Sequence, residues 1–574
     1  MRSCRTSFRF LVLSTAGIGF FLGAWASPVW QVAVESAQVL AGIVRYPAGN
    51  SFYIYHVKLW TIVNQLLALL LKAGLSERVL SVLTTGALAA LCYVAVGVCA
   101  FAISKNAYWG IAAPLLIDFS RVRNTLEVNY PMDFVGMAHT YGVVGLGWVV
   151  LTISLLALGK RVWGGLFLGL APAMHPSLGA WCWIVVALTL LWKGPASLET
   201  IRAIRKPFAV GVGISLASLL LQLSWMRNAL PSVPAEVKQQ FIAAWVEFFD
   251  YHRRPVDLTL PGVEFGALVV VAGLYLILIL DEERDATPLF LIKAMTIAAA
   301  IALGGAAISL LPPSMAPAAL LTLMPTRLFL VSNLLFAAAL IGFLGRYSNL
   351  WMRRFALLFV LLVIANTRLV ALFAFAVAAT ALMAWKTAAL HNSSLGQRQS
   401  PRWLAGITAV LITALGIKGI TGHVMKSREN WQSLNGALTN PVLKAASGSR
   451  GLLVIGQQCC FLTQLVTRRP LLVEANALDQ IPYAPESAPV TNEALKAIYG
   501  VDLLNPPESV RSPGLPEGLT PVTKPLWEAR TAEEWARLGA RFGFTQILTN
   551  NEWRLQLPEA ARDPGQILYD VPTE

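Results

Sequence analysis

Residues 160–193 decide the fold of this chain; they read KRVWGGLFLGLAPAMHPSLGAWCWIVVALTLLWK. The apolar run from 162 to 193 begins after Lys160-Arg161 and ends beside Lys193, shortly before a second basic cluster at 202–206. Short loops rich in Lys and Arg mark the cytoplasmic side of a membrane protein, so both ends of the run are expected there. A chain that starts and ends on one side must cross twice. Pro176 breaks helical geometry and disfavours it at His175, so we predict a hairpin of two short helices that turns at 173–177.

Two other short apolar segments extend this pattern. Residues 355–385 lie between Arg353-Arg354 and Lys386, with the polar break Asn366-Thr367-Arg368 in the middle, and predict a second hairpin. Residues 109–119 predict a segment that re-enters from the outside. Eleven helical residues rise only about 16 Å, roughly half a bilayer core, so the hairpin tips should lie below the outer surface and line a funnel open to it.

The composition of the whole chain agrees with a lipid environment. Of 574 residues, 56% are hydrophobic and 13% are charged, whereas soluble domains carry about 25% charged residues. The fold class we predict is an α-helical polytopic membrane protein with a small C-terminal α/β domain outside the membrane. This excludes a cytosolic enzyme, a disordered chain and an outer-membrane barrel, whose strands alternate apolar and polar residues.

Hydropathy and loop charge predict about thirteen spans, with the N-terminus in the cytoplasm and the C-terminus outside. Residues 10–26 fit both a cleaved signal peptide and a retained first span, and we expect retention. Counting two spans for each hairpin, the remaining single spans are near 56–73, 79–103, 139–158, 208–224, 263–280, 288–311, 328–345 and 403–421. The expected location is the inner membrane of a bacterium.

The net charge of +14 does not indicate a nucleic-acid partner. Residues 1–424 hold 31 Lys and Arg against 15 acids, and residues 425–574 hold 14 against 16. The positive excess therefore lies in the membrane part, where it sets topology. No basic run with interleaved aromatic residues lies outside the membrane context.

Residues 425–574 form the predicted second domain, after the transmembrane domain of residues 1–424. Short strands are predicted at 451–456, 470–474, 545–549 and 567–570, and helices at 461–468 and 531–542. Thr531 with Glu534 three residues later is typical of a capping box. The Pro-rich stretch 503–526 predicts a surface loop. These elements together predict a small α/β fold.

The layout resembles that of the GT-C superfamily of membrane glycosyltransferases. It shares a cytoplasmic N-terminus, a first outer loop of about thirty residues, about a dozen helices and an outer α/β domain. The resemblance implies transfer of a sugar from a polyprenyl-phosphate carrier to a lipid, glycan or protein acceptor at the outer face. It also implies a catalytic carboxylate in the first outer loop, where that family often has an Asp beside a second acid. Here Glu35 is the single acid of residues 27–50.

Glu35 is therefore the first candidate for a base that removes the proton of the acceptor hydroxyl. The alternative is that Glu35 caps a loop helix or pairs with Arg45, which is also a candidate for substrate binding. Asp133 is the next candidate, ahead of Asp118 and Glu127, because Tyr130 and Phe134 beside it suit stacking on a sugar.

Polar residues at the helix breaks form a second group of candidates. His175 is a catalytic candidate because an ionisable group within the membrane is costly unless it has a partner; alternatively, a neutral imidazole holds the broken helix end. Arg327 and Arg368 are expected to bind the carrier phosphate, whose negative charge grows as it leaves, or to be snorkelling anchors. Residues 237–250 predict an interfacial amphipathic helix, and Arg253 and Arg254 at its basic end could guide the same phosphate.

No cofactor follows from these residues, and the only one we keep open is a divalent cation. The expected partners are a polyprenyl-phosphate-linked sugar, membrane lipid, the acceptor and another membrane protein. Two other classes stay open. A non-catalytic scaffold would tolerate the lack of a second acid, and a lipid or solute transporter would also use broken helices with charged tips.

Overall fold

The computed structural model of the 574-residue chain describes most of the predicted membrane part and most of the C-terminal part. The described residues are 2–47, 49–119, 126–128, 133–194, 197–227, 231–250, 253, 256–280, 286–312, 315, 318–346, 402–456, 460–473, 481–511 and 519–572. The predicted hairpin at 355–385, and Arg368 with it, lies outside them.

Helices make up most of the described chain. In chain order they are α1 Arg2–Phe21, continued by a π-helical turn Leu22–Ala26, α2 Val32–Ala41, α3 Ser51–Lys58, α4 Ile62–Lys72, α5 Glu77–Ser104, α6 Ala107–Phe119, α7 Thr140–Ala157, α8 Arg161–Met174, α9 Pro176–Trp192, α10 Ser197–Met226, α11 Ala235–Phe248, α12 Pro261–Ile279, α13 Ala286–Ile308, α14 Ala318–Leu323, α15 Leu328–Arg346, α16 Arg402–Thr439, α17 Pro441–Ser447, α18 Cys460–Thr467, α19 Ala488–Ala494, α20 Thr520–Ala529 and α21 Ala532–Phe542.

The centre of the bundle is α5, which is apolar over nearly its whole length and is packed by α1, α6, α7 and α15. Its last three turns are almost completely buried. Seven helices of the described chain are long and apolar enough to cross a membrane, or eight if one bent pair counts as a single span. This architecture is the one expected of a multi-pass membrane protein. The predicted number of thirteen spans stays a prediction.

The hairpin predicted at 162–193 is present as α8 and α9. The two helices separate at His175, whose backbone is extended (φ −156°, ψ 107°). The indole of Trp183 donates to the carbonyl of Leu168 (2.7 Å). Gly179 lies so close to Ala171 that an added Cβ would be 2.4 Å from the Ala171 carbonyl carbon. Both contacts join residues on opposite sides of the break, so the helices fold back on each other.

The segment predicted as a single span near 56–73 is bent. The chain forms α3 and α4 there, two short helices that meet at an angle of 106°. Thr61 begins α4 because its hydroxyl accepts from the amide of Val63 (3.2 Å), and the same hydroxyl donates to the carbonyl of Met174 (3.0 Å). The bend is therefore tied to the end of α8, beside the hairpin tip.

The C-terminal part contains a four-stranded sheet. Its strands are β1 Leu452–Ile455, β2 Phe544–Asn550, β3 Glu559–Arg562 and β4 Gln566–Asp570, in the order β1-β2-β4-β3. The β1–β2 pair is parallel, and the other two pairs are antiparallel. The strands predicted at 451–456, 545–549 and 567–570 are confirmed. The segment predicted at 470–474 contributes only an isolated bridge, Leu453 to Leu471.

Three helices outside the bundle can be compared with the predicted elements. The helix α21 has the predicted capping box of Thr531 and Glu534. The predicted loop at 503–526 includes the start of α20. The helix predicted as interfacial is α11, and its buried residues pack into the core of the C-terminal sheet, because Trp245 and Phe249 belong to the same cluster as Trp527 and Tyr569.

The C-terminal part is docked on the bundle through two further contacts. The long helix α16 continues from the bundle, passes the predicted domain boundary at 424 and 425, and ends at Thr439. A second apolar cluster joins α2 and α4 to Leu434, Val442 and Leu568. These contacts fix the C-terminal sheet at one end of the bundle, the end at which α2 and the hairpin tip also lie.

Candidate functional site

His175 lies at the break between α8 and α9 and is 9% exposed. Its Nδ1 accepts from the amide of Leu178 (3.3 Å), which caps the start of α9. Nη1 of Arg327, which can only donate, lies 3.5 Å from the other ring nitrogen, Nε2. The backbone hydrogen bond that the alternative role of His175 requires is therefore present, and the second ring nitrogen faces an arginine.

Arg327 lies in a single 3₁₀ turn, Pro325–Arg327, directly before α15. It is 7% exposed. Its Nη2 donates to the hydroxyl of Tyr483 in the C-terminal part (3.1 Å). The guanidinium of Arg253 lies over the ring of the same tyrosine, 4.8 Å from its centre, and Arg253 is paired with Asp250. Tyr483 thus joins Arg327 to Arg253, and Arg327 in turn contacts His175.

A cavity of about 320 Å³ lies beside this cluster. Its walls are mostly apolar and come from α3, the bend before α4, the start of α9, the end of α10, α14 and the segment at Tyr483. The lining residues are Tyr55, Lys58, Leu59, Trp60, Pro176, Leu219, Leu223, Met226, Thr322, Tyr483 and Ala484. We call this the hairpin cavity.

Lys58, which lines the hairpin cavity, belongs to an ion-pair group with Glu486 and Lys238. The carboxylate of Glu486 lies 2.5 Å from the amine of Lys58 and 3.0 Å from that of Lys238. Burial alone would raise the pKa of Glu486, but the hydrogen bonds from Lys58 and Lys238 outweigh it, so the pKa is lowered. Glu486 is therefore a carboxylate at neutral pH and ties the C-terminal part to α3 and α11.

Glu35 is in the first turn of α2 and is 3% exposed. Its carbonyl accepts from the side chain of Gln464 (3.1 Å). Ser36 beside it contacts Nδ1 of His56 (2.9 Å) and the hydroxyl of Tyr141 (3.1 Å). Tyr141 is one turn before Gly145 on α7, and an added Cβ at Gly145 would be 2.8 Å from the His175 ring. Glu35 and His175 thus adjoin neighbouring turns of α7, but Glu35 does not line the hairpin cavity.

The structure separates Asp133 from this cluster. Asp133 lines a second cavity of about 280 Å³, between the end of α6 and α16, together with Asp118 and His423. Arg45 is exposed in the loop after α2 and donates to the carbonyl of Gly42 (3.4 Å); it lines neither cavity. Tyr130 and Arg254, like Arg368, lie outside the described residues.

Sequence reasoning missed Tyr483, Lys58 and Glu486. Tyr483 follows Pro482 in an ordinary polar loop, so nothing in its neighbourhood distinguishes it from a surface tyrosine. Lys58 has a detectable signal, because it interrupts an apolar stretch just before Trp60 and Thr61, where α3 ends.

No metal centre is found among the residues that the structure describes. Within the described ranges, no three His, Cys, Asp or Glu side chains are grouped so that they could hold a metal ion. The divalent cation kept open from the sequence therefore has no ligand set among these residues. Comparison with known proteins adds no relative, since no family model and no curated protein sequence matches this chain.

Proposed function

We propose that the protein is a membrane glycosyltransferase of the GT-C type that binds a polyprenyl-phosphate-linked sugar with its phosphate at His175 and Arg327 and part of its lipid in the hairpin cavity. The observation that carries the proposal is the contact between His175 and the buried guanidinium of Arg327. Nη1 of Arg327 lies 3.5 Å from Nε2 of His175, and Arg327 is 7% exposed. A guanidinium beside an imidazole at the hairpin tip suits the oxygens of a phosphate, which accept charge-assisted hydrogen bonds.

The hairpin cavity supports the lipid side of the proposal. A polyprenyl chain needs an apolar slot beside the cations that hold its phosphate, and ligand pockets generally combine apolar walls with a few polar groups. Pro176 next to His175 lines the cavity, and Tyr483, which accepts from Arg327, lines it too. The cations and the apolar walls are therefore neighbours.

The first test measures carrier binding. The full-length protein in lipid nanodiscs is titrated with undecaprenyl phosphate, and binding is followed by native mass spectrometry. A charge-assisted contact to phosphate is worth about 1.5 to 3 kcal/mol, so Arg327→Ala should weaken binding by roughly ten- to a hundred-fold. Lysine at this position should recover only part of the affinity, because it cannot form the bidentate contact.

The control for this test is Arg202→Ala, on the exposed face of α10, which should leave affinity unchanged. Undecaprenol, which lacks the phosphate, should bind equally to wild type and Arg327→Ala. If Arg327→Ala lowers the melting temperature but leaves the affinity for undecaprenyl phosphate unchanged, the arginine is structural and the phosphate site is excluded.

One observation favours a second candidate function, the non-catalytic scaffold. The carboxylate expected to act as the base, Glu35, is 3% exposed and does not line the hairpin cavity. If Glu35 is nevertheless the base, Glu35→Gln should keep carrier binding and cut turnover by roughly two to four orders of magnitude. Carrier binding by the wild type without sugar transfer in any assay would favour the scaffold.

A further inference from the structure

The second cavity, between α6 and α16, has a lining that differs from that of the hairpin cavity. It holds two carboxylates, Asp118 and Asp133, together with His423 and the amine-bearing side chain of Lys426. Two aromatic side chains, Phe119 and Phe134, also line it. It shares no lining residue with the hairpin cavity. We call it the α6–α16 cavity.

Asp118 is held in a fixed position at this cavity. The hydroxyl of Tyr93 donates to its Oδ2 (2.5 Å), and Nε2 of His423 lies 3.2 Å from the same oxygen. Neither contact uses Oδ1, so the carboxylate keeps acceptor capacity for a ligand. Tyr93 is itself braced by the edge of Phe134, with ring centres 6.4 Å apart. An acceptor that is positioned before binding favours specific recognition.

The walls of the cavity are also fixed by close packing. Gly419 on α16 faces Phe119, and an added Cβ there would be 2.3 Å from the ring. The His423 ring, one turn further along α16, lies 5.4 Å from the Phe119 ring. The close approach at Gly419 therefore brings the imidazole and an aromatic ring to the same side of the cavity as Asp118.

The chemistry of the lining excludes several ligand classes. An anion such as phosphate would meet two carboxylates, and a cation would meet Lys426 and the imidazole. A metal ion lacks a ligand group among the described residues. An apolar ligand would remove solvent from the carboxylates and the amine, which is costly. A neutral ligand with several hydroxyl groups satisfies acceptors and donors together, and its apolar face can rest on an aromatic ring.

We propose that the α6–α16 cavity is a binding site for a neutral polyhydroxylated ring, such as a single sugar or a cyclic polyol, with Asp118 accepting a hydroxyl hydrogen bond. The volume of about 280 Å³ is close to the lower end of small-molecule pockets, about 300 Å³, and suits one ring. This proposal does not depend on the lipid-carrier site, because the two cavities have separate linings.

The test uses saturation-transfer NMR with glucose and myo-inositol as separate probes. The full-length protein is held in amphipol, since alkyl glycoside detergents would compete with the probes. We expect a signal from at least one probe in the wild type. Asp118→Asn should lower the affinity at least about fivefold, because the remaining amide forms weaker hydrogen bonds to a hydroxyl than a carboxylate does.

Two further variants keep the test decisive. Val135→Phe fills the cavity from an apolar wall without removing a hydrogen bond and should abolish the signal, even if Asp118→Asn fails to fold. Glu429→Gln, an exposed carboxylate on the same helix, should change nothing. The proposal is overturned if neither probe gives a signal with folded wild type, or if the signal persists unchanged in folded Val135→Phe.

Discussion

Arg469 shows how one buried charge holds the C-terminal part together. It is 3% exposed, and burial lowers the pKa of its guanidinium to about 10, so it stays charged at neutral pH. Its nitrogens donate to backbone carbonyls before and within β1 and to two side chains of β2. The acceptors are the carbonyls of Ala446, Arg450, Gly451 and Leu452 and the side chains of Thr545 and Gln546.

Replacing Arg469 should therefore destabilise the protein strongly. Arg469→Met leaves several buried acceptors without a donor, and we expect a loss of about 3 to 5 kcal/mol, seen as a lower melting temperature by tryptophan fluorescence. Arg562→Met removes an exposed pair with Glu559 and should leave the melting temperature nearly unchanged, because solvent screens exposed ion pairs. Equal melting temperatures for the two variants would contradict this role for Arg469.

Residues at helix breaks could be predicted, while their partners in the C-terminal part could not. His175 and Arg327 interrupt apolar runs, and a polar group there needs a partner, so the sequence marks them. Their contact with each other and with Tyr483 depends on how distant segments pack, 152 and 156 residues apart in sequence. Local pattern carries no such information, which is why Tyr483 was missed.

At the scale of helices, α8 and α10 pack through glycines. An added Cβ at Gly211 would lie 2.4 Å from the carbonyl oxygen of Leu166, whereas one at Gly213 would meet nothing within 4 Å. Small residues allow such close approach between membrane helices. Ser215 uses the proximity to donate to the carbonyl of Gly169 (2.9 Å).

Alanine substitution should change the free energy of unfolding in opposite directions at the two glycines. Gly211→Ala forces the helices apart and should cost about 1 to 3 kcal/mol. Gly213→Ala adds helix propensity without a clash and should gain up to about 1 kcal/mol. Melting temperatures of both variants and the wild type, measured in the same lipid, test these two expectations. If Gly211→Ala leaves the melting temperature unchanged, the helices adjust freely to the added methyl group.

The segment 481–487 should detach from the bundle in acid. The pKa of Glu486 is held below its ordinary value of 4.5 by Lys58 and Lys238, despite burial. A lowered folded-state pKa stabilises the fold above the ordinary pKa, and this contribution is lost as the pH falls through the folded value. In measurements from pH 7 to pH 3, the free energy of unfolding should therefore decrease once the pH is below about 4.5.

The matched variant for this effect is Glu486→Gln. It should be less stable than wild type at pH 7, and its difference from wild type should shrink below pH 4.5. A constant difference over the whole range would show that the carboxylate charge does not hold this segment.

Elements with local signals were predicted well, and those set by packing were not. The helix at 531–542 begins at a capping box and ends at Gly543, which has a left-handed conformation (φ 75°). Both ends can therefore be predicted from local sequence signals. The bend between α3 and α4 has no glycine or proline. It depends on Thr61, which binds both the start of α4 and the carbonyl of Met174 on another helix.

At the scale of the whole molecule, the C-terminal part and the Arg161 end of helix α8 lie at opposite ends of the bundle. Tyr483 contacts Arg327, which contacts His175, so the C-terminal part lies at the hairpin-tip end. Helix α8 has 14 residues, a rise of about 21 Å, so its start at Arg161 lies toward the opposite end. There Arg161 pairs with Glu199 at the start of α10 (2.8 Å), close in sequence to Arg202.

Topology follows from this arrangement if the basic end is cytoplasmic, as loop charge predicts. In a background without native cysteines, Arg202→Cys should resist a membrane-impermeant maleimide in intact cells and react after permeabilisation. Glu552→Cys, exposed in the C-terminal part, should react in intact cells. Each position is thus the control for the other. Labelling at 202 but not at 552 in intact cells would reverse the orientation, and it would move the proposed carrier site to the cytoplasmic face, where a sugar carrier exposed only at the outer face could not reach it.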